Sequence, residues 1–165
     1  VPGIDECLLQ AMVVPGARGA AIVDWTSGLA LGAVGESPGG DAEATAAETA
    51  ELARMAAEFP SFAPDGPDGG RAFGAPGGPR GLGQVPSGFR PAGTPPGGGG
   101  ADEGAKGLPV EDLIVTTRTG YHVLRFVETT FDSSVFLHLW LDRDTGNLAL
   151  ARLRMAEIAE RLVLG

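Results

Sequence analysis

The stretch VPGARGAAIVDWTSGLALG, residues 14–32, sets four glycines around two short apolar runs. Read as a phosphate loop it makes the chain a nucleotide enzyme, and read as a hairpin it makes it half of a sheet. A phosphate loop needs backbone N–H groups converging on one concavity, a lysine that reaches the phosphates and a helix start directly behind, the pattern G-x-x-x-x-G-K-[ST]. The first lysine of this chain is Lys106, no G-x-G-x-x-G occurs, and the run after Gly19 reads as a strand. Residues 19–25 and 29–34 are apolar runs separated by Thr26, Ser27 and Gly28, a hairpin spacing with a glycine available for positive φ. The stretch is therefore expected to form the first two strands of a sheet, its glycines serving turns and close packing.

The surrounding segments extend that sheet. Ile4, Cys7, Leu8, Ala11 and Met12 recur at helical spacing and predict a short helix over 4–12, stopped by the valines, Pro15 and Gly16 that follow. Asp41 is placed to cap a helix over 42–59 that ends at Pro60. This middle helix carries two apolar stripes, Ala46, Ala50, Ala53 and Ala57 on one side and Leu52, Met55 and Phe59 on another, with Glu43, Glu48, Glu51, Arg54 and Glu58 between them. The bulky stripe is expected to pack on the sheet and the methyl stripe to admit another backbone at close range. The alternative is that the alanines are solvated, since alanine is the best helix former.

Residues 113–117, 121–127 and 135–141 read as three further strands joined by short turns. The last of them, VFLHLWL, is apolar on both faces apart from His138, as expected of a strand covered on both sides. A helix is predicted over 148–164, with Ala151, Met155, Ile158 and Leu162 on its apolar face. The order α-β-β-α-β-β-β-α, with hairpin-length turns, implies an α+β fold built on a mainly antiparallel sheet.

Gly and Pro fill 26 of the 50 positions over 60–109. That density is too high for a packed segment, so about 115 residues, in blocks 1–59 and 110–165, are left to form one domain. The 60–109 stretch is expected to be a disordered insertion between the middle helix and the third strand. Its four acidic residues balance its four basic ones, so the net charge of −9 sits wholly on the folded blocks. An acidic domain without a Lys/Arg cluster repels phosphate backbones and anionic lipid, which argues against nucleic-acid and membrane-surface binding and in favour of a protein partner or a neutral ligand. The single cysteine, Cys7, cannot form an intrachain disulfide. With no secretory signal pattern and no apolar run near 18 residues, a cytoplasmic setting is expected.

No arrangement of side chains stands out as catalytic. His122, His138 and Cys7 lack the spacing of a metal site; if the fourth and fifth strands form a hairpin centred near Thr130, the two histidines come roughly opposite each other as a cross-strand pair. Ser27 sits in a turn rather than in G-x-S-x-G, and neither Asp24 nor the pair Glu111 and Asp112 is spaced for general acid and base work. The sequence DRDTGN opens like a calcium loop but has Leu153 where the bidentate glutamate belongs, so it reads as a turn. Arg18, Arg118 and Arg143 lie in predicted turns, a position from which an arginine finger is supplied in trans, though any surface loop carries such residues. No catalytic, cofactor-binding or metal-binding residue is assigned.

Both blocks resemble the roadblock/LC7 family, in its bacterial branch and closest to actinobacterial members encoded beside a small Ras-like GTPase. The residues that carry the resemblance are VVPGARGAAIVDWTSGLALGAVG (13–35), DAEATAAETAELARMA (41–56) and NLALARLRMAEIAERL (147–162). The resemblance implies a profilin-like α/β/α sandwich: a five-stranded antiparallel sheet, the middle helix on one face and the terminal helices on the other. It implies a homodimer in which the third strands pair, through Leu113, Ile114, Val115 and Thr116, and the middle helices lie side by side on Ala46, Ala50, Ala53 and Ala57. It further implies a non-enzymatic platform for a small Ras-like GTPase, whose expected contact surface is the acidic face formed by Glu48, Glu51, Arg54 and Glu58. A ligand-sensing module with a pocket under Trp25 or Trp140 is the second reading.

Overall fold

The glycine-rich stretch folds as a hairpin. A computed structural model describes residues 3–63, 108–128 and 134–164. Its elements are α1 (Ile4–Met12), β1 (Ala17–Asp24), β2 (Leu29–Gly35), α2 (Ala42–Glu58), β3 (Asp112–Thr116), β4 (Gly120–Val127), β5 (Val135–Asp142) and α3 (Leu148–Leu164), with short 3-10 turns at Pro38–Gly40 and Pro60–Phe62. The turn between β1 and β2 is made by local chemistry. Asp24 Oδ1 accepts from the Thr26 N–H at 2.8 Å and from its hydroxyl at 2.6 Å, Ser27 Oγ accepts from Leu29 N–H at 3.3 Å, and Gly28 takes the positive φ of 76°.

The sheet runs β2-β1-β5-β4-β3, and every neighbouring pair is antiparallel. The last strand in sequence is thus the central one in space, which accounts for its apolar residues on both faces. One face carries α1 and α3 over a core of Leu8, Ile22, Val123, Leu137, Leu139, Leu141 and Met155, with Cys7 buried among them. The other face carries α2 over Val23, Leu124, Phe126 and Phe136. Arg152 Nε, donating to Asp112 Oδ2 at 3.0 Å, ties α3 to β3.

Where the start of β1 meets the turn after β5, two glycines press backbone against backbone. Gly16 has φ 81°, and a methyl group added there would collide with the main chain of Thr145 and Gly146. The same corner is closed by Asp142 N–H donating to Gly16 O at 2.8 Å. Gly16→Ala is expected to cost about 2 kcal/mol, read as a lower urea midpoint at unchanged slope, because neither the dihedral nor the space suits a side chain. An unchanged midpoint would contradict this packing.

The middle helix departs from expectation. Asp41 caps it, its carboxylate accepting from the N–H groups of Glu43 and Ala44 at 3.1 and 3.0 Å. Its faces, however, are exchanged: Ala46, Ala50 and Ala53 are buried against the chain's own sheet and Ala57 packs beside them, whereas Met55 and Phe59 are 44% and 51% exposed. Large residues of β4 and β5, notably Leu124, Phe126 and Phe136, fill the volume of that layer. A helix with only methyl groups on its inner face can therefore lie close to β1 and β2. The alanine stripe is thus taken up inside the protomer and is not available to a second copy. Of the stretch over 60–109, all but the two ends falls outside the described residues; Leu108 at its far end, and Val110 just beyond it, pack partly against the α2-side core.

Candidate interaction surface

Helix α2 lies over β1 and β2, and on the β4–β3 side of the same face Leu124 and Phe126 are buried in the core that α2 shares with Leu108, Val110 and Leu113. A groove of about 300 Å³ runs there, between Thr45, Thr49 and Leu52 of α2 and Val115, His122 and Leu124 of the sheet. Its walls are mostly apolar because the threonine hydroxyls are already used: Thr49 donates to Thr45 O at 2.7 Å and Thr45 to Asp41 O at 2.9 Å. The groove opens on β3, which among the described residues pairs only with β4. Of the four residues expected to meet a partner there, Leu113 faces the α2-side core and Ile114 the opposite core, Val115 lines the groove and Thr116 is exposed. The edge is thus a main-chain edge flanked by apolar surface.

Beneath the groove two imidazoles touch. His122 Nδ1 lies 3.0 Å from His138 Nε2, and the ring of His122 stacks between those of His138 and Trp140, with centroids 5.2 and 6.1 Å away. The cross-strand pair expected from sequence is present, but its register is diagonal, since His122 stands opposite Trp140 and His138 opposite Leu124. Trp140 in turn carries the Arg18 guanidinium 3.8 Å above its ring, and Arg18 Nε donates to Glu36 at 3.0 Å. His138 is only 4% exposed. Burial, with the neighbouring His122 second, lowers its pKa to about 4. Burial lowers that of His122 as well, so at neutral pH the pair is uncharged and one ring donates to the other.

The four residues expected on the acidic face of α2 separate into two roles. Glu48, Glu51 and Glu58 are exposed. Arg54 is turned inward, its Nη2 donating to Trp25 O at 2.9 Å, so it holds the β1–β2 turn to α2. The outward apolar residues Met55 and Phe59 accompany the glutamates on this surface, while half-buried Leu52 stands at the rim of the groove. Sequence reasoning assigned them to the core because bulky stripes usually go inside.

The architecture has counterparts among solved structures. Myxococcus xanthus MglB superposes with a TM-score of 0.56 at 14% identity, over 97% of this chain and 81% of that one. A roadblock/LC7 domain from Streptomyces avermitilis superposes with a TM-score of 0.51 at 16% identity, over 93% and 88%. The fold is that of the roadblock/LC7 domains. No protein-family model matches the sequence, and no curated protein does.

Within this roadblock/LC7 fold the remaining candidate positions are accounted for locally. The space beside Trp140 and His138 amounts to about 20 Å³, room for one water, which weakens the ligand-sensing reading at that tryptophan. Among the described residues no three of His, Cys, Asp and Glu stand together as a metal site, and no helix is long and apolar enough to cross a membrane. The DRDTGN segment is a turn, with Asp142 Oδ1 accepting from Asp144 and Thr145 N–H at 2.9 and 3.0 Å. Arg143 donates to Thr117 O at 2.8 Å, Arg18 is stacked on Trp140, and Arg118 is exposed in the β3–β4 turn.

Proposed function

We propose that this chain is a non-enzymatic, cytoplasmic homodimeric adaptor that binds and regulates a small Ras-like GTPase. The observation that carries the reading is an apolar groove of about 300 Å³ beside α2, next to β3, which among the described residues pairs only with β4. A second copy related by a two-fold axis would extend the sheet through β3, at Leu113, Ile114, Val115 and Thr116. It would lay its own α2 along the groove. The contact on α2 is revised by the burial of the alanines and consists of Leu52, Met55 and Phe59. The likeness to roadblock/LC7 domains supports the same arrangement, and the segment over 60–109 is then an insertion within this single domain.

The GTPase surface is the part of the expected acidic face that the dimer contact leaves uncovered, Glu51 and Glu58, since Glu48 lines the groove; the chain's net charge is −9. Such a rim steers a partner with basic switch-adjacent surface. The test is the solution mass of the chain mixed with the Ras-like GTPase encoded nearest to it, loaded first with GDP and then with a GTP analogue. Uptake in one nucleotide state only is expected, and Glu51→Lys with Glu58→Lys is expected to weaken it about tenfold or more. Binding unchanged by the reversal would remove this surface from the account; no uptake in either state would remove the GTPase.

A further inference from the structure

His122 belongs to two structures at once. Its ring lines the groove with Thr49, Leu52, Val115 and Leu124, and its Nδ1 lies 3.0 Å from Nε2 of buried His138. A hydrogen bond between two imidazoles needs one N–H and one lone pair, so the pair holds one extra proton without breaking and cannot hold two. That proton goes to His122, which keeps access to water, rather than to His138, which is 4% exposed. Little nearby steadies the charge that results. Across the groove α2 presents Glu48, which is exposed, beside threonines and Leu52; β3 and the turn after it present Val115 and Thr117, with Arg118 exposed beyond them; β5 presents Trp140 and His138. Arg18 of β1 lies over the Trp140 ring and is paired with Glu36 at 3.0 Å. Burial alone accounts for the lowered pKa of His122, with no offset from a carboxylate.

We propose that His122 is a proton-operated release for the dimer: a proton taken up on its ring displaces the second copy's α2 from the groove, so that two copies separate in mild acid. The inference rests on pairing through α2 and β3 as proposed above. In that pairing the second copy lays Leu52, Met55 and Phe59 along the groove, side chains that cover His122 and offer it no acceptor. A neutral ring tolerates that cover, whereas a charged one loses its water to it. Proton uptake and pairing therefore oppose each other, and by linkage a dimer that forms in acid gives up a proton from each copy. The sign is diagnostic, because acid reduces the net charge of −9 that each copy carries and by itself would draw the copies together.

The test is sedimentation equilibrium of the wild-type chain, His122→Gln and His122→Phe at pH 7.5, 6 and 5, with native far-UV circular dichroism required at each. The dimer dissociation constant of the wild type is expected to rise by about tenfold or more from pH 7.5 to pH 5, and that of the variants by less than about threefold. The converse measurement is an NMR titration of the two histidines of the wild type, in which the pKa of His122 is expected to be lower at concentrations where the chain is dimeric than where it is monomeric. That titration needs neither variant, so a replacement that folds or pairs poorly does not decide the result. A dimer equally tight at pH 7.5 and pH 5, the same rise in a folded variant, or a His122 pKa independent of concentration overturns the proposal and leaves the dimer standing. A chain that is monomeric already at pH 7.5 overturns the dimer itself, and the release with it.

Discussion

Ala53→Glu is expected to unfold the isolated protomer, at a cost of about 3 kcal/mol or more, whereas Met55→Glu, two residues along the same helix, is expected to change its stability by less than about 0.5 kcal/mol. The substituent is the same and suits a helix in both cases, so the comparison isolates what each side chain faces. Ala53 has no exposed surface and touches the core made with Val23, Leu124 and Phe136, leaving a carboxylate there neither water nor a partner. Met55 is nearly half exposed and loses little. A typical domain is stable by only about 5–15 kcal/mol, so the first change consumes a large share. Urea unfolding followed by circular dichroism, at protein concentrations low enough that the chain is monomeric, reads both. An Ala53→Glu protein that is folded and as stable as wild type but monomeric would return the alanine stripe to an intersubunit contact and contradict the packing described above.

The second large effect is in acid. His138 ionises near pH 6.5 when unfolded and at about 4 in the folded chain, so between those values the unfolded state binds a proton that the native state refuses. Stability is therefore fully present above pH 6.5 and drains away as pH falls, by about 3 kcal/mol by pH 4, with His122 adding in the same direction. Asp24 and Asp142, whose pKa values are held below the usual carboxylate range by hydrogen bonds from Thr26 and from the Thr145 and Asp144 N–H groups, lose their contribution only below pH 3.8. The two windows thus separate. Urea midpoints from pH 7.5 to pH 4 are expected to fall for wild type and to fall much less for His138→Leu, since His122 is half-buried and keeps access to water. Equal losses in both proteins would place the acid sensitivity elsewhere.

These two cases also mark what was legible in the sequence. Period-two runs and turn residues sufficed for all five strands, because LALG, LIVT and VFLHLWL alternate or fill in the manner of strands and are separated by glycine- and aspartate-rich turns. The apolar character of residues 135–141 on both sides correctly implied a strand covered twice, and the structure puts it at the centre of the sheet. The faces of α2 were not legible. Both its stripes are apolar, and which one turns inward depends on whether the opposing sheet brings large residues or small ones, a property of strands some eighty residues away in the chain. The histidine contact was legible as a pair and not as a diagonal, since a shift of one position in the β4–β5 turn moves every partner. The stack continuing through Trp140 to Arg18 required the non-local pairing of β1 with β5, which no local pattern announces.

Sedimentation equilibrium of the wild-type chain, set beside the same protein carrying Met55→Lys and Phe59→Lys, tests most directly whether the outer face of α2 and the β3 edge join two copies. The account predicts a dimer for the first protein and a folded monomer for the second. A monomer in the first, or a dimer of equal strength in both, would contradict it.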